Sequence, residues 1–245
     1  SILAGLILLL RGEFQVIFLL SVIYLFLFYK ISIKKTLLIF SITLITISPY
    51  LTRNFLIFEK ITLVETFGYN LWKGNHPYAM KNSLVEGSEI YDGYLPEQSI
   101  QVVDGFRILN TITKDKFYRF NFNKFFLNQA IKNIKKEPGR YLILYLKKIA
   151  SFLLIDIKSS EPNYYNPLHY LPVLFLGITS LIGISLSDKK SYELNYLILI
   201  LFAIVLIFST VSILPRYKLT ILPLQIIFTN VLIKYMKEKF FYRAE

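Results

Sequence analysis

Two uncharged apolar stretches near the C-terminal end decide the fold class: LHYLPVLFLGITSLIGISLS (residues 168–187) and LNYLILILFAIVLIFSTVSIL (residues 194–214). Neither contains Asp, Glu, Lys or Arg. Each matches the roughly 20 apolar residues that an α-helix needs to cross about 30 Å of hydrocarbon. The sequence therefore predicts two membrane-spanning helices here.

Further apolar blocks lie on both sides of this pair. Residues 1–10, 14–29 and 36–51 precede it, and residues 219–233 follow it. Hydrophobic residues make up 54% of the 245 positions, and the mean hydropathy is +0.49, more than a soluble domain of this size buries. We therefore predict an all-α integral membrane protein, a polytopic bundle of transmembrane helices.

The predicted organisation has three parts. Residues 1–51 form transmembrane helices, of which the third is expected to end at Ser48-Pro49. Residues 52–167 form one large extracytoplasmic loop, and residues 168–245 form three transmembrane helices with a basic cytoplasmic tail. Because the chain opens inside an apolar run at Ser1 with no charged region before it, we expect a C-terminal fragment of a longer protein with a truncated first helix.

The net charge of +12 is concentrated in short clusters at the ends of apolar blocks. This placement indicates cytoplasmic anchoring and contact with anionic membrane lipids rather than nucleic acid. The chain has no cysteine, and neither of its two histidines has a companion at metal-ligand spacing. No metal site or other cofactor is predicted, although a divalent metal in the full-length protein stays open. The clusters are Lys30, Lys34, Lys35; Lys189, Lys190; and Lys234, Lys237, Lys239, Arg243.

Residues 141–157 are apolar enough to span a membrane but carry Lys147-Lys148 at their centre. Two lysines at the bilayer midplane cost roughly 2.5–3.5 kcal/mol each. A span here would also place the Lys30–Lys35 cluster on the opposite side from the other two basic clusters, against the positive-inside rule. We therefore favour an amphipathic helix in the outer interface, with its lysines turned to headgroups or a bound anion; the spanning alternative stays open.

With this topology, three polar elements from distant parts of the chain share the outer face: residues 11–13, the large loop and residues 215–218. Arg11 and Arg216 are candidates for binding a lipid-linked phosphate, since a guanidinium presents a fixed fork of donors to phosphate oxygens. Each arginine also has a plainer interpretation as an interfacial anchor.

The first half of the loop, residues 67–78, is rich in Gly, Asn, Tyr and Pro and is predicted to form turns. It sets Trp72 beside Asn70 and Asn75, and aromatic faces with amide side chains suit sugars. Packing of Trp72 onto the membrane interface is the alternative. In the second half, residues 124–136 have helical spacing and are expected to end at Glu137-Pro138-Gly139.

Five motifs resemble, in order, those of bacterial membrane glycosyltransferases of the GT-C superfamily, similar to dolichyl-phosphate-mannose protein mannosyltransferases and the aminoarabinose–lipid A transferase. One departure is Tyr50, where the family usually has Trp. The motifs are LRGE (10–13), SPYLTRN (48–54), GYNLWKGNHP (68–77), EPGRYL (137–142) followed by Lys147-Lys148, and RYKL (216–219) followed by Pro223.

The resemblance implies transfer of a sugar from a polyprenyl-phosphate donor to a glycan, lipid or protein acceptor outside the cytoplasm, in a bacterial inner or plasma membrane. It also implies a catalytic aspartate upstream of Ser1, so this chain alone is expected to be inactive. The expected lipid-phosphate contacts are Arg11, Lys147, Arg216 and Tyr217. The expected sugar or acceptor contacts are Arg53, Asn54, Asn70, Trp72 and Asn75.

The alternative class is a polytopic transporter or flippase-like protein without glycosyl transfer. Transporters often carry paired repeats and broken midplane helices, and no internal repeat is evident in this sequence. A membrane subunit whose loop binds a partner is a third option. Of the loop carboxylates Glu65, Glu86, Asp92 and Asp104, none is singled out as a base by sequence.

Overall fold

The computed structural model describes residues 1–75, 115–155, 165–211 and 215–240, without the side chains of Pro215 and Arg216. The described residues form helices and short connections, with no strand. The predicted all-α class is thus confirmed for this part of the chain. The helices are α1 (Ile2–Leu10), α2 (Phe14–Leu27), α3 (Ile33–Phe58), α4 (Phe67–Gly74), α5 (Tyr118–Lys136), α6 (Pro138–Leu153), α7 (Pro167–Leu186), α8 (Tyr192–Ser209), α9 (Pro215–Lys218) and α10 (Leu222–Phe240).

Three of the described helices, α3, α7 and α8, are long and apolar enough to cross a membrane. In the most apolar 18-residue stretch of each helix, only 11%, 17% and 33% of the residues, respectively, are buried within the protein. Many of the other apolar side chains of these helices, above all in α3 and α7, are exposed, which a soluble monomer rarely tolerates over so large an area. The helices predicted from residues 168–187 and 194–214 correspond to α7 and α8.

Helix α3 corrects the prediction that Ser48-Pro49 ends the third apolar block. The helix continues through Pro49 for nine more residues, to Phe58. Proline has no N–H to donate to the carbonyl of Ile45, four residues back. The Ser48 hydroxyl donates to that carbonyl instead, at 2.8 Å, so the freed acceptor is satisfied and the helix continues. The predicted loop boundary at residue 52 therefore falls inside a helix.

The chain divides into two compact units, and the first comprises Ser1–Trp72 and Pro96–Ile131. In this unit α1 packs closely against α3, because a side chain larger than hydrogen at Gly5 would overlap Thr46. The Thr43 hydroxyl donates to the Ser1 carbonyl across the same contact, at 3.2 Å. Rings of Phe18 and Phe40 meet edge to face, with centroids 5.5 Å apart, where α2 lies beside α3.

Helix α4 corrects the prediction of turns in residues 67–78, since residues 67–74 are helical. The side-chain oxygen of Asn123 accepts hydrogen bonds from the N–H groups of Gly68 and Tyr69, at 2.6 and 3.2 Å. These N–H groups lie in the first turn of α4 and have no acceptor within the helix. An asparagine on α5 therefore provides the cap. The remainder of the predicted turn segment, from His76, lies outside the described residues.

The second unit comprises Lys73–Leu95 and Lys132–Glu245. Helices α7 and α10 approach so closely that any side chain at Gly183 would overlap the carbonyl of Phe228. The hydroxyls of Thr179 and Thr229 hydrogen-bond across the same pair at 2.8 Å. Small residues that let backbones approach, together with hydroxyl pairs, are typical of helix contacts within membranes.

Helix α6 has the amphipathic character predicted for residues 141–157, and it begins at Pro138, directly after α5 ends at Lys136. Its exposed face carries Lys147 and three apolar side chains that are each more than half exposed, Leu142, Ile143 and Leu146. Sixteen residues reach about 24 Å, and α6 is not among the three long apolar helices. Its location in an interface stays a prediction.

We expect Gly183→Ala to destabilise the protein by about 1–3 kcal/mol, because the new methyl group must displace the α10 backbone. Gly139→Ala is the matched control, since nothing lies within 4 Å of a methyl group at that helical position. Thermal unfolding of the detergent-purified variants measures both. Equal melting temperatures for the two variants would contradict the close contact between α7 and α10.

Candidate functional site

The first unit contains a cavity of about 720 Å³ where several helices end. Its lining includes the C-terminal end of α1, the connection from α1 to α2 and the last turns of α3. The connection between α3 and α4, the start of α4 and the start of α5 complete the lining. Its charged lining residues are Arg11, Glu13, Arg53, Glu65 and Arg119, and its tyrosines are Tyr50, Tyr69 and Tyr118.

Continuation of α3 beyond Pro49 supplies one wall of the cavity. Tyr50, Arg53 and Asn54 follow the i, i+3, i+4 spacing that places side chains on one helical face. Asn54 is only 4% exposed. Its side-chain oxygen accepts from an Arg53 guanidinium nitrogen at 3.1 Å, and its side-chain N–H donates to the carbonyl of Thr62 at 2.8 Å. Asn54 thereby orients Arg53 and also fixes the segment that follows α3.

That segment turns back over the end of α3. Glu59 caps the helix in the left-handed conformation, with φ of 57°, and pairs with Lys116 just before α5 at 2.6 Å. The ammonium of Lys60 lies 4.0 Å from the centre of the Phe120 ring. Both contacts are exposed and individually weak. Together with the Asn54–Thr62 bond they hold the segment beside α5, which brings Glu65 into the cavity.

The cavity combines three guanidinium groups with two carboxylates, so its lining favours an anionic ligand. Burial raises the pKa of the Glu65 carboxyl above its ordinary value, because the charged form loses water. The positive charges of Lys60 and Arg119 oppose this shift but do not cancel it. Glu65 thus holds its proton to a higher pH than an exposed glutamate.

Three of the residues predicted from the sequence line this cavity: Arg11, Arg53 and Asn54. Arg53 and Asn54 are adjacent in the sequence, whereas Arg11 lies 42 positions before Arg53. The packing of α1 on α3 brings the three residues together. Asn70 and Trp72 are not among the lining residues. The Trp72 ring is 5% exposed and packs on Phe126 at 4.6 Å between centroids, so in this structure it is a core residue. Sugar-binding roles for these two residues stay predictions.

Arg119 was not identified from the sequence, and Glu65 was one carboxylate among several. Arg119 lies on the second residue of α5, one helical turn before Phe122, which also lines the cavity. Its spacing from Phe122 is the only local signal of a shared face. Nothing near it in sequence shows that α5 returns to the end of α3.

A second cluster of predicted residues lies within the second unit. Lys148 is 1% exposed and donates to the side-chain oxygen of Asn75 at 3.3 Å. The side-chain N–H of Asn75 donates to the Thr210 carbonyl at the end of α8, at 2.7 Å. Tyr217 packs on Phe208 with ring centroids 5.1 Å apart. The side chain of Arg216 lies outside the described residues.

The two adjacent lysines of α6 have opposite surroundings. Lys147 is exposed, whereas Lys148 lies on the buried stripe of the helix with Tyr141, Leu144, Ser151 and Phe152. The expectation that both lysines turn to the headgroups is therefore wrong for Lys148, although the helical spacing of this stripe can be read from the sequence. The lipid-phosphate role of Lys147 stays a prediction.

Burial lowers the pKa of the Lys148 ammonium from 10.5 to about 7. Such a lysine binds its proton less tightly in the folded protein than in the unfolded chain. Between about pH 7 and pH 10.5 the unfolded state therefore carries more protons, and the free energy of unfolding rises with pH through that window.

We expect Lys148→Met to remove this rise in stability, while Lys147→Met, the exposed neighbour, retains it. The measurement is the melting temperature of each detergent-purified variant from about pH 6 to about pH 10. The quantity to compare with the wild type is the slope of melting temperature against pH, because loss of the hydrogen bond to Asn75 also shifts the melting temperature itself. Indistinguishable slopes for all three proteins would show that Lys148 is charged throughout.

Comparison with protein-family models, with curated proteins and with solved structures finds no match to this chain. Among the described residues, no group of three or more His, Asp or Glu side chains is placed to hold a metal ion. The described residues thus form helices and their connections, with three helices among them fit to cross a membrane and an arginine-lined cavity at helix ends.

Proposed function

We propose that this chain belongs to an integral membrane glycosyltransferase that takes a sugar from a polyprenyl-phosphate donor and passes it to an acceptor outside the cytoplasm. The cavity of the first unit would hold the phosphate and sugar of the donor. One observation carries the proposal: Arg11, Arg53 and Arg119, from three separate helices or helix ends, line one cavity together with two carboxylates and three tyrosines.

The chemistry of a lipid-linked sugar fits this lining. When the bond between the anomeric carbon and the phosphate oxygen breaks, negative charge grows on the departing lipid phosphate. Fixed guanidinium groups next to that oxygen stabilise the charge in the transition state. Tyrosine rings and hydroxyls suit the apolar faces and hydroxyl groups of a sugar.

The position of the cavity also fits a donor that keeps its tail in a bilayer. Leu9, Leu10 and Phe58 line it beside the charged residues. Leu10 is 83% exposed, and Leu56, in the last turn of α3, is 75% exposed. Apolar surface therefore continues outward from a polar cavity at the end of a helix long enough to span a membrane. A polyprenyl chain requires this combination of surfaces.

We expect Arg11→Gln and Arg53→Gln each to weaken binding of undecaprenyl phosphate to the full-length protein by roughly 10- to 150-fold, because a hydrogen bond to a charged group contributes about 1.5–3 kcal/mol. The measurement is a titration of the reconstituted protein with a fluorescent undecaprenyl phosphate. Lys124→Gln is the control: it removes one exposed positive charge from α5, outside the cavity.

Equal affinity in all variants would place the phosphate elsewhere and contradict the assignment of the cavity. A transporter or flippase would bind the same lipid but would not transfer its sugar. Incubation of proteoliposomes with undecaprenyl phosphates carrying radiolabelled mannose, glucose or aminoarabinose, together with cell-envelope extract, distinguishes the two classes. Movement of label into the acceptor fraction supports the transferase, and label that stays on the lipid contradicts it.

A further inference from the structure

The cavity is lined by two carboxylates, Glu65 and Glu13, with different surroundings. Glu65 lies on the connection between α3 and α4, half-buried, where desolvation raises the pKa of its carboxyl. Glu13 immediately precedes α2, in the short connection that follows α1. Glu65 lies on the segment that the Asn54–Thr62 hydrogen bond anchors, and the positive charge of Arg119 acts on it. It therefore combines access to the cavity with an environment that strengthens a carboxylate as a base.

We propose that Glu65 is a catalytic residue that takes up the proton of the acceptor hydroxyl group during sugar transfer. This inference rests on the proposed function of the same cavity. It assigns to this chain a role that the sequence resemblance implies for an aspartate upstream of Ser1, and the two assignments make different predictions.

The charged lining residues form two pairs, one suited to the leaving phosphate and the other to the acceptor hydroxyl group. Arg11 and Arg53 come from the ends of α1 and α3, where a lipid phosphate arriving from a bilayer meets the protein. Glu65 and Arg119 come from the elements that follow the end of α3, and the positive charge of Arg119 acts on Glu65. We thus place the leaving phosphate at the first pair and the acceptor hydroxyl at Glu65.

The reaction balances with the groups present. The acceptor oxygen forms a bond to the anomeric carbon, and its proton passes to an oxygen of Glu65. The bond between the anomeric carbon and the phosphate oxygen breaks, and its electron pair stays on the polyprenyl phosphate, whose added charge the arginines stabilise. The proton leaves Glu65 to solvent before the next turnover.

Because this mechanism depends on pH, the other ionisable groups around Glu65 matter. They are Arg11, Arg53, Arg119 and the three tyrosines of the lining, together with Lys60. Glu13 is the other acidic group of the lining. A rate that falls as pH falls through the raised pKa of Glu65 is therefore the expected signature.

The test uses full-length protein in proteoliposomes with the radiolabelled undecaprenyl phosphates and envelope extract described above. We expect Glu65→Gln to lower kcat by about 100-fold or more, the usual contribution of a general base, with the donor KM changed less than about threefold. The decline of kcat at low pH should disappear in Glu65→Gln and persist in Glu65→Asp, which retains a carboxylate. Glu59→Gln is the control for a structural effect, since it weakens the ion pair with Lys116 that helps hold the same segment but leaves the cavity lining unchanged.

A kcat for Glu65→Gln within about threefold of wild type overturns the assignment in favour of another carboxylate, while the proposed function stands. An equal loss in Glu65→Gln and Glu59→Gln also overturns it, because the effect would then be structural. No transfer by the wild-type protein from any of the three donors refutes the proposed function and the role of Glu65 together.

Discussion

The hydrogen bond from the buried amide of Asn54 to the Thr62 carbonyl, 2.8 Å long, is the interaction on which the cavity depends. It joins the last turns of α3 to the segment that returns over the helix end. Without it, the Asn54 side chain that bonds to Arg53 is no longer fixed at its other end, and Glu65 loses the anchor that holds its segment over the helix end. The cost of an unpaired buried amide, about 1–3 kcal/mol, makes this geometry strongly preferred over one that leaves Asn54 unbonded.

The helices can be predicted from the sequence where their cause is local. The apolar runs that become α7 and α8 need only length and composition, and the stripe of α6 that contains Lys148 follows from helical spacing. Two predictions are wrong because each helix depends on a hydrogen-bond partner that helix propensity does not indicate. Pro49 does not end α3, since the neighbouring Ser48 hydroxyl satisfies the freed carbonyl. Residues 67–74 are helical because Asn123, 55 positions after Gly68, caps their first N–H groups.

The candidate site is predictable to a similar extent. Charges at the ends of apolar blocks drew attention to Arg11 and Arg53, because charge is expensive near hydrocarbon and needs a reason. Arg119 and Glu65 lie in polar stretches of the sequence. A charged residue there costs little free energy, so its presence does not indicate a functional site. Only tertiary packing shows that they meet the other two. Lys148 illustrates the converse, since a lysine pair gives no indication of which member is buried until the helix has a partner.

The two units carry different kinds of ionisable group. The first unit gathers arginines, whose planar guanidinium groups suit phosphate. The second unit buries a lysine against an amide oxygen, where it gives up its proton near neutral pH. The arginines of the first unit can stabilise an anion. The buried lysine of the second unit instead links α6 to the end of α8 through its hydrogen bond to Asn75.

The proposed function requires the cavity to face the extracytoplasmic side, where a lipid-linked donor would present its sugar. Residues 1–245 contain no cysteine, so each single replacement adds one thiol to this part of the protein, and the protein without the replacement gives the background. Lys34→Cys and Glu59→Cys mark exposed positions at opposite ends of α3. In intact cells, a membrane-impermeant maleimide should label Glu59→Cys at once and Lys34→Cys only after permeabilisation. Labelling of both without permeabilisation, or of Lys34→Cys alone, would contradict the account.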